Sequence, residues 1–206
     1  MTMSRAPTPR SADASAPIED RRGGNRHCTV FRIAKIAREG DAGLWRVRNI
    51  SDSGMMLATS VAVETGERLE IALSEEVVLT GEVVWAREGR CGVAFDAPVN
   101  ALGILRQLAA ERQSGEYRPP RLPVQGRALA VTDDGEFPVE IENLSQNGAG
   151  IIHDGRLEAG TELTLALGED VRRRGIVRWS RKNRAGIWFA SPLGGADLES
   201  IRRFES

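Results

Sequence analysis

Asn49-Ile-Ser-Asp-Ser-Gly54 recurs as Asn143-Leu-Ser-Gln-Asn-Gly148, and this recurrence organises the whole chain. Gly81-Glu-Val-Val-Trp85 returns as Gly175-Ile-Val-Arg-Trp179, and Gly92-Val-Ala-Phe95 returns as Gly186-Ile-Trp-Phe189. Positions 49 and 143, 81 and 175, and 92 and 186 are each separated by 94 residues, as are Gly66 and Gly160. A register held without a gap from Asn49 to Phe95 marks two copies of one fold. The chain then divides into a tail over 1–20, a first copy over 21–114 and a second over 115–206. The tail is rich in Ser, Thr, Ala and Pro and has the composition of a disordered segment.

Within each copy the pattern is that of short strands. Residues 28–37 are rich in Val, Ile and Phe, Gly40-Asp-Ala-Gly43 reads as a turn, and 44–50 return as a second strand. The Asn49–Gly54 segment turns the chain into 55–60, followed by strands over 69–73, 76–86 and 91–95. The second copy repeats this over 122–189. Six short strands at such spacing predict a closed antiparallel barrel. Each copy ends in a stretch of helical period: Leu102, Leu105 and Leu108 in the first, Leu198 and Ile201 with Phe204 in the second. Strand alternation places Trp85 and Trp179 among the core aromatics.

Two elements of the first copy carry chemistry. Arg22-Gly-Gly-Asn-Arg26 places two arginines four residues apart before the first strand, preceded by Arg21. Guanidinium forks bind phosphate oxygens and the O6 and N7 acceptors of guanine. Asn49 and Ser51 supply an amide and a hydroxyl that can meet a guanine edge, and Gly54 offers φ > 0 and room for a flat base.

RxxxR followed by NxSxxG on a small barrel, with the later Val-x-Trp and Gly-Val-x-Phe stretches, resembles the PilZ domain. The resemblance covers everything after the tail and implies a mainly β chain of two tandem six-stranded antiparallel PilZ-like β-barrels, each with a C-terminal helix. It implies a cyclic di-GMP site made by Arg22, Arg26, Asn49, Ser51 and Gly54. An arginine at the place of Arg21 goes, in that family, with binding of a stacked ligand dimer. The implied function is a receptor that turns nucleotide binding into a conformational or partner-binding signal, with a downstream protein partner and no catalysis.

The second copy departs from this pattern. The repeat carries Arg22 to Glu116 and Arg26 to Pro120, while Arg118 and Arg121 lie nearby at RxxR spacing with two prolines between them. Asn143, Ser145 and Gly148 remain, so the turn persists while the arginine clamp is broken. A structural or partner-facing role is expected of this copy, with a realigned arm using Arg118 and Arg121 left open. The competing reading of the whole chain is a protein-interaction module of two degenerate PilZ-like barrels that binds no nucleotide.

Other classes find little support. The net charge of −1 gives no global attraction to nucleic acid, and no long apolar run suggests a membrane span. The N-terminus lacks the apolar core of a signal peptide, and Cys28 and Cys91 form no CxxC pair, so a reducing cytoplasm is the expected location. His27 and His153 have no partners at metal-ligand spacing, so no metal or cofactor is expected beyond the cyclic di-GMP ligand. The basic segment 172–184 alternates as a strand, with Arg172, Arg174, Ile176 and Arg178 on one face. It reads as a solvated face or a contact for an acidic protein; nucleic acid is the lesser reading.

Overall fold

The structure is a computed structural model that describes residues 32–114, 118–168 and 170–204. The first barrel is built from β1 (Arg32–Arg38), β2 (Asp41–Ser51), β3 (Gly54–Ala58), β4 (Arg68–Ala72), β5 (Val78–Arg87) and β6 (Arg90–Phe95). It closes in the order β1-β2-β3-β6-β5-β4. Helix α1 (Ala101–Gln113) follows. The second barrel comprises β7 (Leu122–Thr132), β8 (Gly135–Ser145), β9 (Gly148–Ile152), β10 (Glu162–Ala166), β11 (Arg172–Arg181) and β12 (Arg184–Phe189), closed in the matching order. The expected pair of six-stranded antiparallel barrels is therefore the observed fold.

Alternation fills each interior with β-branched and aliphatic side chains, which pack well on a pleated surface. Ile36, Trp45, Val47, Ile50, Leu57, Ile71, Val83 and Val93 form the first core, and Ala101 and Leu108 of α1 close it from outside the sheet. The helix starts where Asn100 accepts from the Gly103 N–H at 2.8 Å and the Asp52 carboxylate accepts from the Ala101 N–H at 3.0 Å. Asp52 thereby ties the turn between β2 and β3 to the helix.

Two local expectations are corrected. The turn read over Gly40–Gly43 is tighter: Glu39 and Gly40 make it, Arg38 pairs with Asp41, and Gly40 takes φ +65°. The segment after the second barrel forms two 3-10 turns, Ala196–Leu198 and Ile201–Arg203, in place of an α-helix. Ser200 interrupts it with an extended backbone at φ −152°, and its hydroxyl accepts from the Arg202 N–H. Contacts to the other barrel hold this break in place.

Those contacts run along β2. Gly43, Leu44 and Trp45 are all buried, although strict alternation would expose one of them. Trp45 points into the first core, while Leu44 joins the core of the second barrel. The Trp45 indole N–H donates to the Glu199 carbonyl at 2.8 Å, and the Glu199 carboxylate accepts from the Ser60 N–H and hydroxyl, each at 2.5 Å. The Ser200 hydroxyl donates to Asp41 at 2.8 Å, and Arg202 Nε donates to the Gly40 carbonyl at 3.1 Å. A Cβ at Gly43 would stand 2.0 Å from the Glu199 carbonyl oxygen, so only glycine admits the second copy here. The repeat places Phe137 at the corresponding position of the second barrel. The wild-type chain is expected to melt in one calorimetric transition and Gly43→Val in two, the barrels having been uncoupled; a single unshifted transition in the variant would show that the seam carries no stability.

Candidate functional site

Asn49 and Ser51 face outward because β2 carries an irregularity. The pairing of β2 with β3 shifts between Val47 and Asn49, leaving one extra residue on β2. A bulge of this kind exchanges inner and outer faces beyond it. Val47 and Ile50 are accordingly buried, while Asn49 and Ser51 are half-exposed. A second shift, between Val83 and Trp85 where β5 pairs with β6, does the same for the tryptophan. Trp85 is half-buried on the outer surface and Trp179 is 42% exposed, so the expectation of core aromatics fails for both. The bulge reverses the alternation on which that expectation rested, and Trp45 is the indole that fills the first core.

The register then aligns one row across four strands: Asn49 pairs with Met56, Met56 with Gly92, and Gly92 with Trp85. The Trp85 ring lies over Gly92, where a Cβ would come within 2.0 Å of the indole nitrogen. Arg87 covers the ring, its guanidinium carbon 5.4 Å from the centroid. A parallel row holds Ser51, Gly54, Ala94 and Glu82. Together the rows floor an open basin of about 630 Å³, rimmed by Arg87, Glu88 and Arg90 of the β5–β6 hairpin. Trp85, Arg87 and Arg90 border this candidate site, although the sequence pattern placed Trp85 in the core and did not single out Arg87 or Arg90. Their one trace in the sequence is the Trp/Gly pair that recurs at 179 and 186.

The turn's own bonding narrows what each side chain can offer. The Ser51 hydroxyl donates to the Gly54 carbonyl at 3.0 Å, which leaves its lone pairs for a ligand donor. Gly54 is not at positive φ. Its lack of a side chain serves close packing, since a Cβ would stand 2.3 Å from the Val93 carbonyl oxygen. Arg21, Arg22 and Arg26 lie outside the described residues, as do His27 and Cys28.

The second copy reproduces the frame with different contents. Shifts between Ile141 and Asn143 and between Val177 and Trp179 align Asn143, Gly150, Gly186 and Trp179 in a row. The Ser145 hydroxyl donates to the Gly148 carbonyl at 3.2 Å. Arg121 reaches across and donates to the Asn143 amide oxygen at 3.1 Å. The arm of this copy thus satisfies part of its own turn motif.

The family model for the PilZ domain matches residues 13–111 and again 116–205. The chain belongs to the PilZ domain family. Among solved structures, it resembles the PlzA protein of Borreliella burgdorferi in complex with c-di-GMP, at 13% identity, covering 86% of this chain and 88% of that one with a TM-score of 0.39. It also resembles the K. pneumonia MrkH complex with c-di-GMP, at 11% identity, 84% coverage of each chain and a TM-score of 0.32. A stretch of 108 residues is 30% identical to the 1-deoxy-D-xylulose 5-phosphate reductoisomerase of Anaeromyxobacter dehalogenans, covering 48% of this chain and 28% of that protein. The chain therefore spans little more than a quarter of the curated relative it matches.

No cluster of three or more potential metal ligands occurs among the described residues. No helix among them is long and apolar enough to cross a membrane. His153 is buried, its Nδ1 accepting from the Gly155 N–H at 3.0 Å and its Nε2 lying 3.2 Å from the Ser180 hydroxyl. It serves the fold. Cys91 is buried in the first core, and burial pushes its thiol up to about 11. The raised value keeps the neutral thiol dominant through pH 9 in the folded chain. Iodoacetamide at pH 8 is expected to leave Cys91 unmodified in native protein and to alkylate it in denaturant. Peptide mapping by mass spectrometry reads the difference, and rapid native labelling of Cys91 would contradict its burial.

Proposed function

We propose that the chain is a cyclic di-GMP receptor that takes the nucleotide on its first barrel. The observation that carries this reading is the row Asn49–Met56–Gly92–Trp85, an amide and an indole on one open surface of a PilZ chain. Arg22 and Arg26 stand a few residues ahead of that barrel in sequence. In this reading Arg22 and Arg26 hold phosphates and guanine, and Arg21 adds a further cation. Asn49 and the Ser51 lone pairs meet a guanine edge, and Gly54 keeps the turn close to β6. Arg87 and Arg90 add positive charge at the rim, which favours a diphosphate ligand over an uncharged one. The proposed units are residues 21–114 as receptor and 115–206 as the second PilZ-like unit, in a protein that binds and signals and does not catalyse.

The route from binding to signal follows from what the turn touches. β2 carries Asn49 and Ser51 at one end and Asp41, Gly43 and Trp45, which hold the second copy's last turns, at the other. Asp52 joins the same turn to α1, which leads to the second barrel. A ligand that fixes the turn thus bears on both connections between the barrels, and a downstream protein can read the altered arrangement if it favours one state over the other.

Calorimetric titration of cyclic di-GMP tests the reading. Saturable binding is expected, weakened at least about tenfold in each of Arg22→Ala and Arg26→Ala and about fivefold in Asn49→Ala, since a hydrogen bond to a charged group contributes about 1.5–3 kcal/mol and one to a neutral amide about 1 kcal/mol. Arg118→Ala is expected to change little. Unaltered affinity in both arginine variants would overturn the site, and no binding by folded protein would favour the module that binds protein only.

A further inference from the structure

We propose that the outer face of β10, β11 and β12 in the second barrel is a docking surface for an acidic protein segment that carries an apolar anchor. This deepens the receptor reading by locating its output surface. The two copies serve as each other's control, because the same register positions hold different residues. In the first barrel, the row beyond the Ser51 turn is Gly54, Ala94 and Glu82, and Glu82 sits beside an Arg68–Asp96 ion pair. In the second barrel that row is Gly148, Trp188 and Ile176. Two strands further on, Lys35 and Ala37 of β1 correspond to Leu129 and Val131 of β7. The copy that lost the arginine clamp has thus replaced small and charged side chains with apolar ones at four outward positions.

Trp188 is 55% exposed, the highest value among the large apolar side chains of the described residues. It borders a shallow basin of about 510 Å³ shared with Ile176, Val131, Thr164 and Arg174. Clustered exposure of this kind marks a contact surface, whereas the first barrel exposes Val78 and Val84 of β5, where the repeat carries Arg172 and Arg178.

The charge beside the patch selects the occupant. Arg172 and Arg174 alternate with Ile176 on the outer side of β11, and Arg178, the extra residue at the bulge, is exposed as well. No salt bridge engages these three arginines among the described residues. Arg173, which points the other way, is held by Asp197 at 3.2 Å. The basin itself is lined by Glu162 and Asp133, which keep a partner's carboxylates over the arginines of β11 and leave the basin to its apolar anchor. The barrel is closed, so docking proceeds through side chains and not through a free strand edge. Outer residues on one strand repeat every ~6.7 Å. An extended partner with carboxylates at alternate positions around one aliphatic side chain matches Arg172, Arg174, Ile176 and Arg178 in order.

The test uses the full chain without nucleotide, so that failure of this surface and failure of the nucleotide site are read separately. The probe is a synthetic peptide alternating Glu and Thr around one central Leu, titrated into 15N-labelled protein while the indole N–H signals are followed. The acidic peptide is expected to move the Trp188 signal saturably and leave that of buried Trp45 in place. Affinity, read in the variants from the backbone amide signals of β11, is expected to fall at least about tenfold in Arg174→Glu and in Trp188→Ala, with the Trp45 signal reporting that each variant is folded. The proposal is overturned if the same peptide with Lys for Glu binds equally, if duplex DNA moves Trp188 and the acidic peptide does not, or if neither moves it. Movement of the Trp188 signal on protein dilution alone would also overturn it, since a second copy would then be the occupant.

Discussion

The extra residue in β2 between Val47 and Asn49 decides which face of the barrel can hold a ligand. Without it, Asn49 and Ser51 would point inward with Val47, and Ile50 would face solvent. Burying an amide and a hydroxyl in that apolar interior without partners would cost on the order of 1–3 kcal/mol each. The companion shift before Trp85 brings a large indole out of the core and onto Gly92. The two irregularities need each other to make a site, since neither places both an amide and an aromatic ring on one surface. The same pair of shifts occurs in the second barrel, so this geometry belongs to the repeat, whatever each copy does with it.

The strand that presents the turn is also the strand that joins the copies. Gly43 lets the second copy's backbone approach, Leu44 leaves the first core for the second, and Trp45 donates to a carbonyl of the last turns. Burying Leu44 contributes about 1.5–3 kcal/mol, which holds only while the barrels stay together. A ligand acting on one end of β2 need not distort a core to be felt at the other end. It has only to favour one setting of a strand whose two ends have different partners.

Much of the fold was legible because the chain states it twice. Glycines at fixed spacing fix the register of both copies, and α1 follows from Leu102, Leu105 and Leu108. The misread features are those where a residue's surroundings come from far away in sequence. Trp85 and Trp179 were assigned to the core by alternation, which no local signal warned would reverse. The segment around Ser200 has helical period, yet its backbone is set by Trp45, Ser60 and Asp41 from the other copy. Gly54 was read as freedom for the backbone or a ligand and proves to be a point of close packing against β6. Arg87 and Arg90 carry no motif of their own in the sequence, and it is the sheet that brings them to the same basin as Asn49.

The second copy keeps the frame of the first and carries different side chains on it. Its turn keeps Asn143, Ser145 and Gly148, but Arg121 occupies the Asn143 oxygen from within the chain. A nucleotide arriving there must first displace that bond and finds Pro119 and Pro120 in the arm where a flexible segment would close over it. Proline fixes φ, so the arm loses the freedom to wrap an incoming ligand. Beside the turn, Trp188 covers ground that Ala94 leaves open in the first barrel. Each difference alone would weaken a nucleotide site. Together they are the grounds on which the nucleotide is proposed for the first barrel and a protein contact for the second.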